Sequence, residues 1–150
     1  MTTLEGIKRE KRLGQALVEF AIVCFLLIFT LLGVFELCRM LLVYNSLANA
    51  SRVAVRYASV HGSLNSGSGI NGPSGPGNTT QVETVVRNYM SNSLIDLTKL
   101  TVLVDYPTGG ASANAPGSRV RVRVSYPYDP FMVLPLNVPM GSQTEGIIVY

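Results

Sequence analysis

Hydrophobic and polar positions divide the chain into an all-round apolar stretch and a patterned remainder. Ala16 to Phe35 is twenty residues with a single ionisable side chain, Glu19, among Leu, Phe, Ile and Val. At about 1.5 Å per residue a helix of that length crosses the roughly 30 Å of bilayer hydrocarbon, so a transmembrane helix is predicted. Beyond it the pattern becomes one-sided. Asn45, Asn49, Arg52 and Arg56 recur at spacings of four, three and four and form a polar stripe. Met40, Tyr44, Leu47, Ala48, Val55 and Ala58 form an apolar face. The helix is therefore expected to continue to about Val60. That face either covers an outer domain of the same chain or packs on neighbouring chains.

His61 to Thr80 ("HGSLNSGSGINGPSGPGNTT") ends the helix, and its Gly, Ser, Asn and Pro content predicts a flexible loop without a regular element. It has neither the Gly-Lys-Ser/Thr nor the preceding strand of a phosphate-cradling loop. Thr80-Gln81-Val82-Glu83 has the capping-box pattern, and Val82, Val85, Val86, Tyr89, Met90, Leu94 and Leu97 follow at helical spacing. Leu100, Val102, Val104 and Tyr106 then alternate with Thr101, Leu103 and Asp105, which predicts a strand. Pro107 to Ser118 reads as a loop. Arg119, Arg121 and Arg123 alternate with Val120, Val122 and Val124 in a second strand. "YPYDPFMVLPLNVP" holds Pro127, Pro130, Pro135 and Pro139, which cannot donate to a ladder, and is expected to be an extended crossing. Thr144 to Tyr150 reads as a third strand. The fold class is α+β: a long N-terminal transmembrane and amphipathic helix, a second helix and a small antiparallel sheet of about three strands.

Charge changes the picture only at the N-terminus. The net charge of the 150-residue chain is +3, and the first 14 residues hold Lys8, Arg9, Lys11 and Arg12 against Glu5 and Glu10. The remainder is close to neutral, so the basic balance is a property of the leader and gives no case for nucleic acid. Three arginines on one strand face could hold a phosphate backbone or anionic lipid, but no aromatic residues interleave them as a single-stranded platform requires. A charged outer face of a half-exposed strand is the simpler reading. Flanking Lys and Arg keep the N-terminus cytoplasmic, which sends the C-terminal part to the other side. A cleaved secretory signal fits poorly. Its apolar region would run about 7–15 residues and meet a small-residue cleavage site soon after, whereas Ala48-Asn49-Ala50 comes well past the span.

Candidate chemistry is sparse. His61 is the sole histidine and borders the Gly/Ser loop. A metal site needs clustered ligands and a nucleophilic triad needs an oriented base. Asp105 and Asp129 are separated by loops. Cys24 and Cys38 stand about 21 Å apart on one helix, too far to pair within the chain. Cys38 is a juxtamembrane thiol open to acylation. No enzymatic activity, metal or other cofactor is expected.

The apolar span leaves two residues unexplained: Gly14, which ends the basic leader, and Glu19, an acid near the start of the span. A basic leader ending in glycine, then "QALVEF" and a long apolar helix, resembles a type IV prepilin. In that family a membrane peptidase cuts on the cytoplasmic side after the glycine, and a glutamate stands fifth in the mature chain. Counted from Gln15, the fifth residue is Glu19. "GQALVEFAIVCFLLIFTLLGVFELCRMLLVYNSLANASRVAVRYA" more narrowly resembles the TadE-like pseudopilins of tight-adherence (Flp-type) pilus systems, from Gly14 to about Ala58. The later "VRVRVSYPYDPF" is also similar. A bulk Flp pilin, by contrast, is much shorter and has almost no distal domain.

The resemblance implies a pilin-like protein with a cleaved cytoplasmic leader (1–14), a transmembrane helix with amphipathic extension (15–60), a flexible loop (61–80) and an extracytoplasmic α+β domain (81–150). It implies processing at Gly14 and Gln15 and an assembly role for Glu19 and Phe20. The protein would be a minor pseudopilin of pilus assembly, surface attachment and secretion in the bacterial inner membrane. Its expected partners are prepilin peptidase, other pseudopilins or pilin subunits and the lipid bilayer, with no nucleic acid. The alternative is a single-pass membrane-anchored binding or sensor module.

Overall fold

The first proline of the chain is Pro73, and nothing before it forces a break. A single helix, α1, runs over Thr3–Val60 in a computed structural model that describes residues 3–93, 95–110, 113–130 and 137–149. Side chains are described from Gly14 onward, that of Ile70 excepted; those of Lys8, Arg9, Lys11 and Arg12 lie outside the described residues. After α1 come α2 (Thr80–Met90), β1 (Thr101–Asp105), β2 (Arg119–Tyr128) and β3 (Val138–Ile147), with short 3₁₀ turns at Gly69–Asn71 and Leu97–Lys99. This is the expected α+β set of a long helix, a second helix and a three-stranded antiparallel sheet. The chain forms two compact units, Met1–Cys38 and Arg39–Tyr150.

In the first unit the most apolar window of α1 is long and apolar enough to cross a membrane, and none of it is buried within the protein. Phe25 and Phe29 stack along one side with ring centroids 6.4 Å apart. The Thr30 hydroxyl donates to the Leu26 carbonyl at 2.8 Å. That bond satisfies within the helix a polar group that hydrocarbon could not satisfy.

The second unit is a helix-on-sheet layer with its own core. Its sheet has the order β1-β2-β3, antiparallel throughout. Alternation puts Val120, Val122, Val124, Tyr126 and Tyr128 of β2 on the inner face, all buried, and Arg119, Arg121 and Arg123 on the outer face. The later turns of α1 cover the inner face through Val43, Leu47, Ala50, Ala54, Val55 and Ala58. The apolar stripe is thus centred away from the expected Tyr44, which is 49% exposed. Small residues allow this close approach. Gly146 of β3 lies under α1, where an added Cβ would stand 2.4 Å from Val55 Cγ1 and 3.0 Å from Ser59 Oγ. One step along, the buried Ser51 hydroxyl bonds Thr144 Oγ1 at 2.8 Å and Ser142 Oγ at 3.1 Å, and the Val149 amide donates to the Ser59 carbonyl at 2.8 Å.

Helix α2 packs beside β1 with Val82, Val86 and Met90 buried. Its start differs from the expected capping box. Thr79 is the N-cap, so Glu83 falls one position late for the reciprocal pair; the Thr79 hydroxyl instead donates to the Glu83 carboxylate at 3.0 Å. The helix also stops at Met90, earlier than its apolar spacing predicts, leaving Tyr89 exposed and Leu97 in a 3₁₀ turn. Leu94 lies outside the described residues.

The proline-rich stretch is the larger correction. β2 runs on through Tyr126, Pro127 and Tyr128, and β3 begins at Val138, with Pro127 opposite Pro139. β1 begins only at Thr101, opposite Ser125, so Pro127 sits where β2 has become an edge, and Pro139 sits on the edge strand itself. A missing N–H is tolerated at both places. Residues 131–136 of the expected crossing, and Tyr150, lie outside the described residues.

Residues 61–80 lack long elements but are tied down at Ser74, which is buried. Its amide and hydroxyl both donate to the His61 carbonyl (2.6 and 3.0 Å), and its hydroxyl accepts from Tyr106 Oη at 3.2 Å. Asn114 Nδ2 donates to the Ser74 carbonyl at 3.0 Å. Burial pushes the Tyr106 phenol above its ordinary pKa, and the Ser74 bond only partly offsets this.

Candidate functional site

Gly14, Gln15, Val18, Glu19 and Ile22 line one face near the start of the apolar segment. Helical periodicity brings them together: Gln15 and Glu19 stand one turn apart, as do Val18 and Ile22. All five are exposed. A Cβ placed on Gly14 would meet nothing within 4 Å. No packing among the described residues therefore requires glycine there, although glycine costs a helix interior about 1 kcal/mol relative to alanine. Gly33 is equally unconstrained, in keeping with glycine's frequency in transmembrane helices. Glu19 has no described ion pair. Phe20, 66% exposed, is the next residue round the helix and so points about 100° away from Glu19.

The arrangement can do two things. A small residue beside a basic leader offers backbone to a protein that must approach closely. A carboxylate on an apolar helix can bind a cation, and in hydrocarbon such pairing is strongly selected because the isolated charge is costly.

The remaining candidates resolve into structure. Arg121 of β2 bridges its strand neighbours, with Nε 2.6 Å from Glu145 Oε1 and Nη1 3.8 Å from Asp105 Oδ2. Arg123 donates through Nε and Nη2 to Gln143 Oε1 at 3.1 and 2.6 Å. Two of the three arginines thus serve cross-strand pairs on a solvated face, each worth about 0.2–1 kcal/mol. His61 stacks on Tyr57 with centroids 3.9 Å apart, and its Nδ1 lies 2.8 Å from the Tyr57 carbonyl, so it finishes the last turn of α1. Cys24 and Cys38 are free thiols. Among the described residues, no three His, Cys, Asp or Glu side chains cluster as metal ligands would.

Sequence reasoning missed two features. The Ser51, Ser142 and Thr144 hydroxyl group has no signal in hydrophobic periodicity, because serine and threonine read as surface residues. Arg39 lies with its guanidinium carbon 5.1 Å from the centroid of the buried Tyr128 ring. Its only signal is position, as the first basic residue after the apolar run.

Comparison with known protein families finds a match to the family described as TadE-like protein over residues 14–56. The match opens at Gly14, covers the apolar segment and most of the amphipathic extension, and spans less than a third of the chain. No curated protein and no solved structure matches the chain. The matched stretch points to a pilus-associated role, and the architecture is that of a small domain on an apolar helix able to anchor it in a membrane.

Proposed function

We propose that the protein is a minor pilin-like subunit that helps assemble a tight-adherence (Flp-type) pilus. In this reading the leader stays cytoplasmic, a prepilin peptidase cuts between Gly14 and Gln15, and α1 holds the subunit in the inner membrane with Arg39–Tyr150 outside. The subunit then either enters the fibre or assists its assembly from the membrane. The observation that carries the proposal is the pairing of Gly14, which the fold does not need, with Glu19 four residues after Gln15 on an exposed apolar helix.

Cleavage supplies what Glu19 lacks. A new α-amino group at Gln15 has an ordinary pKa of about 8 and is largely protonated at neutral pH. It stands about 6 Å along the helix from Glu19. Pairing with the ammonium of a neighbouring subunit would fix the axial stagger between the two helices. A carboxylate at the bilayer centre costs about 2.5–3.5 kcal/mol on insertion scales. Near the cytoplasmic end the cost is lower, so the residue is tolerated in one subunit and useful in two. Partners are therefore other pseudopilins or pilin subunits, and Phe20 contributes apolar contact beside the charge.

Glu19→Gln tests this directly, since it removes the charge and nearly preserves size. Membrane insertion and processing should stay near normal while piliation, scored by fibre yield and surface attachment, is lost. Wild-type piliation by the Glu19→Gln protein would remove the pairing role. A single-pass sensor or binding module remains the competing reading. It is favoured if the native protein stays permanently in the membrane, keeps its leader and never copurifies with fibres.

A further inference from the structure

Asn71 and Gly72 form the only Asn-Gly pair in the chain. Such a pair is chemically labile, because glycine has no Cβ to shield its amide nitrogen from the preceding carboxamide. Asn71 is the last residue of the Gly69–Asn71 3₁₀ turn and is exposed, so water and base reach its side chain. Gly72 is buried. Its amide donates to the Gly69 carbonyl at 3.1 Å, and the same carbonyl accepts from Gln81 Nε2 of α2. The turn is also closely packed. A Cβ on Gly67 would stand 2.0 Å from the Asn71 carbonyl oxygen, and one on Gly72 would stand 3.2 Å from the carbonyl oxygens of both Gly67 and Gly69.

We propose that Asn71-Gly72 is a self-modification site, deamidating to aspartate or isoaspartate, which the folded loop holds inactive. In the reaction the Gly72 amide nitrogen gives up its proton and attacks Asn71 Cγ. The new C–N bond closes a five-membered succinimide, the Cγ–Nδ2 bond breaks, and ammonia leaves with the proton. Water then opens the ring at either carbonyl. Opening at the side-chain carbonyl leaves aspartate, and opening at the backbone carbonyl leaves isoaspartate, whose main chain is one carbon longer.

The fold opposes the first step twice. The attacking N–H is already engaged by the Gly69 carbonyl. Ring closure also requires ψ of Asn71 to rotate out of the helical range, which carries Gly72 away from that carbonyl. Cyclisation therefore waits on local opening of the turn. Gln81 is the latch, since it holds the Gly69 carbonyl from α2. The product does not fit back. Isoaspartate turns the carbonyl packed on Gly67 into a free carboxylate, so modification is one-way and releases the chain just ahead of the buried Ser74 anchor.

The test follows the full-length chain in detergent at mildly alkaline pH, folded and in urea, with aspartate and isoaspartate at position 71 counted by peptide mass mapping. The unfolded chain should be modified about tenfold faster than the folded one, or more. Gln81→Ala should speed the folded-state reaction several-fold and leave the rate in urea unchanged. Leu47→Ala loosens the core without touching the turn and should leave the folded-state rate near wild type. Asn71→Gln should remove the signal. Equal rates in the folded and unfolded chains, or no modification even in urea, would overturn the proposal. An unchanged folded-state rate in Gln81→Ala would overturn the latch, and equal acceleration by Leu47→Ala would replace local gating with global unfolding.

Discussion

Leu26 and Leu47 are the same residue on the same helix, and they stand in opposite circumstances. Leu26 is 57% exposed and Leu47 is fully buried. The same contrast separates their surroundings. Around Leu26, Val23, Phe25, Leu27 and Phe29 are all more than half exposed, whereas around Leu47 the neighbours Val43, Ala50 and Ala54 are closed beneath the sheet. One region has apolar side chains all round and satisfies no core of its own. The other has small residues on a single face, shaped to a particular partner surface. The first finds no apolar partner elsewhere among the described residues, and its length and apolarity are those of a helix able to cross a membrane. The second is chosen for contacts within the chain. The family match crosses this division, since it runs from Gly14 through the apolar segment and on past Leu47, Ala50 and Ala54 to residue 56.

The comparison can be broken most forcefully by truncating both leucines. Leu47→Ala should destabilise the Arg39–Tyr150 unit by about 2–5 kcal/mol, the usual cost of a buried cavity. Leu26→Ala should change it by less than about 0.5 kcal/mol. Denaturant unfolding in detergent, followed by tyrosine fluorescence, distinguishes them. Similar losses for the two variants would mean that the apolar segment packs into the same cooperative unit.

A smaller effect sharpens the picture of how α1 meets the sheet. Gly146→Ala introduces a methyl 2.4 Å from Val55 Cγ1, and the β-branched valine has few rotamers in which to retreat. Overpacking of this kind costs about 1–3 kcal/mol. Adding Val55→Ala should recover part of the loss, and a thermal unfolding series on the single and double variants measures the coupling. A fully additive double variant would place the strain elsewhere.

Much of this arrangement is legible in the amino-acid sequence. The apolar span, the α2 stripe at Val82, Val86 and Met90, and the alternation of Val120, Val122 and Val124 each rest on a period that large apolar residues mark clearly. The errors have physical causes. Pro127 and Pro139 look like breakers because a proline removes one N–H, but the loss matters only where that N–H has a ladder partner. Which prolines face an edge is a property of the sheet. The buried face of α1 is hard to place because Ala50, Ser51 and Ala54 weigh little on a hydrophobicity pattern, yet they decide how near the helix can come. Gly14 and Glu19 show the converse. They stand out because no local element needs them.

The smallest expected effect lies at the turn before β1. Asp96 Oδ1 accepts from the Thr98 hydroxyl at 2.7 Å and the Thr98 amide at 2.9 Å. The Thr98 hydroxyl bond, then the amide bond, lower its pKa from the ordinary carboxylate value, with a lesser contribution from Lys99. A folded-state pKa below the unfolded one stabilises the fold above the unfolded value, about 3.9, and the contribution is lost as pH falls through the folded value. Relative to Asp96→Asn, the wild-type protein should therefore hold a small advantage at pH 6 that fades below about pH 4. Parallel thermal melts across that range read it, and an advantage that grew on acidification would reverse the sign. The effect should be confined to the Arg39–Tyr150 unit.

The proposed assembly role depends on Gly14 being a processing site, and no described contact explains the glycine there. Intact-mass measurement of the native protein extracted from membranes of a host with an active prepilin peptidase tests that claim most directly. The mass of a chain beginning at Gln15 is the expected result. A mass that retains Lys8 to Arg12 would contradict it.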